Sequence, residues 1–166
     1  MMISSCLQKI ELSTWKRNNV FEEVKDEGQK CISTRWVCTL KETTAGVVRK
    51  ARLVARGFEE MNTQDLPKDS PTCASESLKM IMAVICQNKW QLNSMDIKAA
   101  FLQGKELTRD IYIRPPQEVQ NKGTIWKLKK CVYGLTDASL FWYNRVKDTM
   151  QQLGVTVSKV DPAVFY

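Results

Sequence analysis

The sequence predicts an α+β fold. Two observations carry this: an alternating strand pair joined by a Gly-bearing turn, and two helical segments set among short strands with no regular βαβ rhythm. Residues Ile32, Thr34, Trp36, Cys38 and Leu40 alternate with Ser33, Arg35, Val37, Thr39 and Lys41, which is the period of a strand. Thr43-Thr44-Ala45-Gly46 reads as a turn and Val47 to Phe58 as the return strand of a hairpin.

A polar loop with Pro67 and Pro71 leads to a helix from about Ser75, its predicted N-cap, with Leu78, Ile81, Met82 and Ile85 on one face. Trp90 to Phe101 reads as a strand running into a helical turn that Gly104 breaks. Ile111-Tyr112-Ile113 is a short strand stopped by Pro115-Pro116, and Thr124 to Lys129 is another. A second helix spans Ala138 to Leu153, capped by Thr136 or Asp137 and closed by Gly154; Trp142, Val146, Thr149, Met150 and Leu153 share one side. Val155 to Val157 and Ala163 to Tyr166 are β candidates. With no repeat, low-complexity tract or Gly/Ser linker, residues 15–166 read as one continuous unit behind a loose segment 1–14.

The 166-residue chain contains no histidine, which excludes Ser-His-Asp and Cys-His catalysis and any His-ligated zinc and makes carboxylates the first suspects for chemistry. Six cysteines without a Cys-x-x-Cys pair read as reduced, mostly buried thiols of an intracellular protein. The longest apolar run, Met80 to Cys86, falls far short of a membrane span, and the N-terminus lacks the pattern of a signal peptide. A formal charge of +7 suits a polyanionic partner and equally a solubilising surface.

Three stretches hold candidate chemistry. Lys50, Arg52 and Arg56 lie at even spacings on one strand, with Arg49 on the other face, and no acid interrupts Val47 to Phe58. That surface suits phosphates; the ordinary alternative is a solvated edge strand guarded by charge. Asp96 stands between apolar neighbours at the predicted strand end, a place used both by Mg²⁺-binding aspartates and by helix N-caps. From Lys122 to Thr136 there are four lysines, no acids, and Trp126 and Tyr133 between them, which suits a nucleic-acid track or the core-facing side of a common strand.

Taken in order, the motifs are Val20-Phe21-Glu22-Glu23-Val24, Ser33-Thr34-Arg35-Trp36-Val37, Lys50-Ala51-Arg52-Leu53-Val54-Ala55-Arg56-Gly57-Phe58, Ser70-Pro71-Thr72, Met95-Asp96-Ile97-Lys98-Ala99-Ala100-Phe101-Leu102-Gln103-Gly104, Ile111-Tyr112-Ile113-Arg114-Pro115-Pro116, Tyr133-Gly134-Leu135 and Trp142-Tyr143. Together they resemble the reverse transcriptase of copia-type long-terminal-repeat retrotransposons, from about Trp15 to Tyr166. The resemblance implies a right-hand polymerase fold, here the fingers plus an incomplete palm, copying RNA or DNA template-primer from dNTPs with two Mg²⁺. It implies that Lys50, Arg52 and Arg56 clamp the triphosphate and that Asp96 is a catalytic metal ligand joined by the Ile97 carbonyl. By the same resemblance Phe101 excludes a 2′-hydroxyl, and Tyr133 and Gly134 line the nucleotide pocket. In a full polyprotein the remaining palm, the thumb and RNase H would complete the enzyme, within a cytoplasmic virus-like particle.

Two departures stand out. Where the family continues from Tyr133-Gly134-Leu135 with a Lys-Gln-Ala-Pro-Arg-like stretch, this chain has Thr136-Asp137-Ala138-Ser139-Leu140. None of the eight aspartates is followed by another, so the paired Asp-Asp of the palm is missing and the chain is expected to be inactive alone. The alternatives are a repurposed basic nucleic-acid-binding module without catalysis, or an inert element relic.

Overall fold

The computed structural model describes residues 2–43, 46–61 and 63–166, so Thr44 and Ala45 of the expected hairpin turn lie outside the described residues. The elements are α1 (Met2–Arg17), β1 (Phe21–Lys25), β2 (Cys31–Ile32), β3 (Thr34–Thr43), β4 (Gly46–Ala55), α2 (Ser75–Asn88), β5 (Tyr112–Ile113), β6 (Thr124–Leu128) and α3 (Ala138–Gln152). Short 3-10 turns occupy Gly57–Glu59, Ala100–Gln103 and Gln117–Val119. The mixture of helix and sheet is α+β, as predicted.

β3 and β4 pair antiparallel along their whole length, from Thr34 opposite Ala55 to Thr43 opposite Gly46. The second sheet has the order β1-β6-β5-β2, with β6 antiparallel to β1 and β5, and β2 parallel to β5. Its inner face carries the core: Ile32, Ile113, Trp126 and Leu128 are buried there.

From Met2 onward the predicted loose segment 1–14 is instead helical, as part of α1. Leu12 and Trp15 of α1 are buried, and Trp15 meets Trp126 and Phe21 at centroid distances of 6.1 and 6.3 Å, while Phe21 stacks on Trp126 at 3.9 Å. Large aromatic areas removed from water anchor the helix. Lys16 and Arg17 in its last turn complement the helix dipole.

The strand expected from Trp90 does not form. Residues 90–97 have no regular structure, and all are exposed. No strand among the described residues pairs with them, so their backbone groups face water instead of a ladder. The expected inner face of α2 is likewise uncovered: no residue of this helix is buried, and Leu78 and Met82 are exposed. α2 does begin at Ser75, but Ala74 takes the cap position. α3 runs as expected from Ala138, with Asp137 at the N-cap and Gly154 in the left-handed region beyond its end. Val157 and Phe165 form the predicted terminal β contact. The cysteines depart from expectation: Cys131 is buried, whereas Cys6, Cys38, Cys73 and Cys86 are exposed.

At the outer edge of β4 two glycines interlock. Gly134 has φ +95°, and a Cβ there would lie 2.0 Å from the Ala55 carbonyl oxygen; a Cβ on Gly57 would lie 2.1 Å from the Gly134 oxygen. Gly134→Ala is expected to destabilise the protein by about 2 to 4 kcal/mol, combining left-handed strain with overpacking. Urea denaturation measures this, and a loss below about 1 kcal/mol would show that the crossing relaxes freely.

Candidate functional site

From Lys50 to Ala55, β4 alternates: Ala51, Leu53 and Ala55 are buried, and Lys50 and Arg52 project from the opposite face. That face forms one wall of an open cleft of about 820 Å³. Asp96, Ile97 and Phe101 come from the segment after α2, Tyr133 from the loop before α3, and Glu11 from α1. Residues far apart in sequence are thereby gathered around one volume. Lys41 joins the lining toward the hairpin tip, and so does Arg49, although alternation places it on the other face.

Two expected members lie elsewhere. β4 ends at Ala55, and the chain turns at Arg56 (φ −86°, ψ 75°) into the 3-10 turn, so Arg56 leaves the face shared by Lys50 and Arg52. It is exposed and sits 3.8 Å from Glu59, outside the cleft lining. The cause is the Gly57–Gly134 crossing, which diverts the strand. Gly134 also lies off the lining; its close approach to Ala55 instead sets the position of Tyr133, whose carbonyl accepts the Ala55 N–H at 2.8 Å.

The cleft has an aromatic floor. Phe101 meets Tyr133 edge-on at 5.3 Å, and the Arg52 guanidinium lies 5.6 Å from the Tyr133 ring centroid. Burial, together with the nearby Glu11 charge, raises the Tyr133 hydroxyl pKa above its ordinary value. Asp96 is exposed and has no hydrogen-bond or ion-pair partner among the described residues. It caps no helix: the cap position of the following 3-10 turn is Ala99, held at φ +53°, with no side-chain cap.

The second basic stretch is not an open track. Lys127 pairs with Asp110 at 2.8 Å, Lys129 with Glu22 at 3.0 Å, and the Lys130 ammonium donates to the Asn18 carbonyl at 2.9 Å. Trp126 and Leu128 face the core. The ordinary-strand reading holds there.

Sequence reasoning missed Glu11 and the cluster around Arg109. Glu11 accepts hydrogen bonds from Trp15 Nε1 at 3.2 Å and from the Leu53 backbone N–H at 3.4 Å, tying α1 to β4. Reading 7–17 as a helix, with Leu12 and Trp15 three apart and Lys16-Arg17 before Asn18-Asn19, would have placed it. Arg109 forks onto Asp137 and also reaches Glu60, a long-range contact with no local pattern.

A family model described as reverse transcriptase (RNA-dependent DNA polymerase) matches residues 18–166. The retrovirus-related Pol polyprotein from transposon RE1 of Arabidopsis thaliana is 31% identical over 140 residues, covering 81% of this chain and 10% of the relative. That from transposon RE2 of the same plant is 30% identical over 140 residues, with coverage of 81% and 10%. The polyprotein from transposon TNT 1-94 of Nicotiana tabacum is 29% identical over 163 residues, covering 94% of this chain and 12% of its own length. The chain thus spans about a tenth of the length of these relatives. No solved structure gives a significant match.

Burial raises the Glu11 pKa above the ordinary carboxylate value, against the opposing hydrogen bonds from Trp15 and Leu53 and the Arg52 charge. A carboxyl whose folded pKa lies above its unfolded pKa favours folding at low pH, and that contribution is lost as pH rises through the folded value. At neutral pH the ionised Glu11 therefore costs stability. Glu11→Gln, which keeps the accepting oxygen, is expected to raise stability at pH 7 and to lose that advantage below about pH 4. Denaturation midpoints at the two pH values measure it, and a difference independent of pH would refute the desolvation account.

Proposed function

The chain belongs to the reverse transcriptase (RNA-dependent DNA polymerase) family, as the reverse transcriptase part of a retrotransposon Pol polyprotein, and from that premise we propose that its cleft receives the incoming deoxynucleoside triphosphate. The observation that supports this most is the gathering of Lys50, Arg52, Asp96, Ile97, Phe101 and Tyr133 around one volume. In this reading β3 and β4 are the fingers of a right-hand polymerase and residues 96–135 contribute part of the palm.

Lys50 and Arg52 project from one face of a rigid strand and neutralise the phosphate oxygens, Arg52 through its planar fork and Lys50 as a point charge. The edge-on contact of Phe101 with Tyr133 makes a firm apolar floor beneath the sugar and base, where bulk would exclude a 2′-hydroxyl. Asp96 supplies a carboxylate, and Ile97 a backbone carbonyl, at the cleft. Among the described residues no three His, Cys, Asp or Glu side chains gather to hold a metal. Asp96 offers a hard anionic oxygen at the cleft and would serve as one protein ligand to Mg²⁺ held mainly by the triphosphate and water. When bound, two such ions would neutralise developing charge during nucleotidyl transfer. Asp96 alone does not make that site, and the other carboxylate of the cleft, Glu11, is engaged by Trp15 and the Leu53 N–H, so in this reading the chain contributes nucleotide and template-primer binding and catalysis needs further carboxylates from a longer Pol protein.

Magnesium-dATP binding to the 166-residue chain tests the reading. Lys50→Gln with Arg52→Gln is expected to weaken binding about tenfold and to flatten its salt dependence, whereas Arg56→Gln leaves both nearly unchanged. Equal effects of all three would reduce the strand to a general basic surface. In a longer Pol protein that includes the Asp-Asp motif, Asp96→Asn is expected to abolish Mg²⁺-dependent DNA synthesis, because an amide oxygen lacks the anionic charge a hard cation requires. Primer extension measures this, and substantial residual synthesis would remove Asp96 from the metal site.

A further inference from the structure

We propose that Arg109 is a positioning residue of the cleft: by bracing Asp137 and Glu60 it fixes the loop that carries Tyr133, and so sets how tightly the nucleoside half of a triphosphate is held. The proposal rests on the nucleotide reading of the cleft and adds a residue to it that lines none of its wall.

The geometry is a three-way junction. Arg109 Nη1 and Nη2 donate to Asp137 Oδ2 and Oδ1 at 2.5 and 3.0 Å, and Nε donates to Glu60 Oε1 at 2.8 Å. The Asp137 and Glu60 side chains are only 3% and 9% exposed. Glu60 follows the 3-10 turn at the end of β4, and Asp137 opens α3, so one guanidinium joins the β3–β4 hairpin to the helix behind the cleft. Cys131 Sγ donates to Asp137 Oδ1 at 3.6 Å. Both ends of the loop 131–137 therefore converge on the same carboxylate. Between them Tyr133 is held to β4 through the Ala55 N–H and through the tight passage of Gly134.

A contribution to stability alone is a poor account of this junction. Taking three charges out of water nearly cancels their mutual attraction, and apolar replacements of such clusters are often as stable. Here the other Glu60 oxygen, Oε2, is buried without a hydrogen-bond partner among the described residues, which adds a further cost. What a bidentate fork supplies well is a defined geometry. The burial that opposes the Arg109 charge is outweighed by its two carboxylate partners, so the guanidinium stays charged and the fork intact.

The test compares the wild-type chain with Arg109→Lys, which keeps the charge and loses the fork, and with a neutral triple variant, Glu60→Gln, Arg109→Met and Asp137→Asn. Affinity is measured for magnesium-dATP and for magnesium-tripolyphosphate, with hydrogen exchange at the Ala55 amide. The expected result in both variants is faster Ala55 exchange and about tenfold weaker dATP binding, with tripolyphosphate, held by Lys50 and Arg52, unchanged. Equal weakening of both ligands would mark a general loss of structure and overturn the proposal. So would unchanged dATP binding, or unchanged Ala55 exchange, in a folded variant. Failure of the nucleotide reading has a separate signature: wild-type dATP binding that ignores Lys50→Gln with Arg52→Gln.

Discussion

The structure depends on how the outer edge of β4 is covered. Its inner edge pairs with β3, and an edge strand left open exposes unpaired backbone groups to water or to other chains. Two elements close it. Glu11 of α1 accepts the Leu53 N–H, and the Tyr133 carbonyl accepts the Ala55 N–H, two residues further along the same edge. A side-chain carboxylate and a loop carbonyl thus stand where a third strand would. Because they come from α1 and from the loop before α3, covering the edge also draws those elements around the cationic face of β4. The cleft is a consequence of satisfying a strand edge without a strand.

That solution fixes the electrostatics. Six cations and two carboxylates line the cleft, so its field favours an anion even though Lys127 and Lys129 of the second basic stretch are paired locally. Arg52 is the pivot: it is half-buried, lies near the Tyr133 ring and feels the Glu11 charge. Glu11 serves the fold by accepting the Leu53 N–H, yet its charge opposes that of any phosphate brought to Arg52. The same residue closes the strand edge and limits anion affinity. The compromise is visible in its raised pKa, since burial disfavours its ionised form more than its hydrogen bonds and Arg52 favour it.

Much of the fold was legible where structure is local. The alternation through Ile32 to Leu40 and Val47 to Ala55 reports a hairpin because each residue's face follows from its number, and the starts of α2 and α3 follow from periodicity and flanking turns. The placement of Lys50 and Arg52 on one face was legible for the same reason. Arg56 was not, because β4 ends at Ala55, three residues short of the expected Phe58, where the chain crosses Gly134 from far along the sequence. The 90–97 segment has the composition of a strand, but a strand exists only with a neighbour, and composition says nothing about neighbours. α1 has a local signature that a charge-centred reading passes over. Arg109, Asp137 and Glu60 lie in unrelated segments, and no spacing rule joins them.

The two sides of the cleft consequently differ in preorganisation. Lys50 and Arg52 sit on a paired strand and Tyr133 on a loop tied at both ends, so little backbone entropy remains to be lost when they meet a ligand. Asp96 and Ile97 sit on an exposed, unpaired segment that enters the Phe101 turn through Ala99 in a left-handed conformation. A carboxylate on such a segment must be ordered by what binds it, and in the proposed reading a metal-laden triphosphate on the opposite wall would be the partner with the charge to do so. Under the proposed nucleotide reading, binding and chemistry would therefore be separable: the wall of Lys50, Arg52 and Tyr133 is built by its own hydrogen bonds, while the wall of Asp96 and Ile97 would acquire its geometry when the nucleotide and further carboxylates arrive.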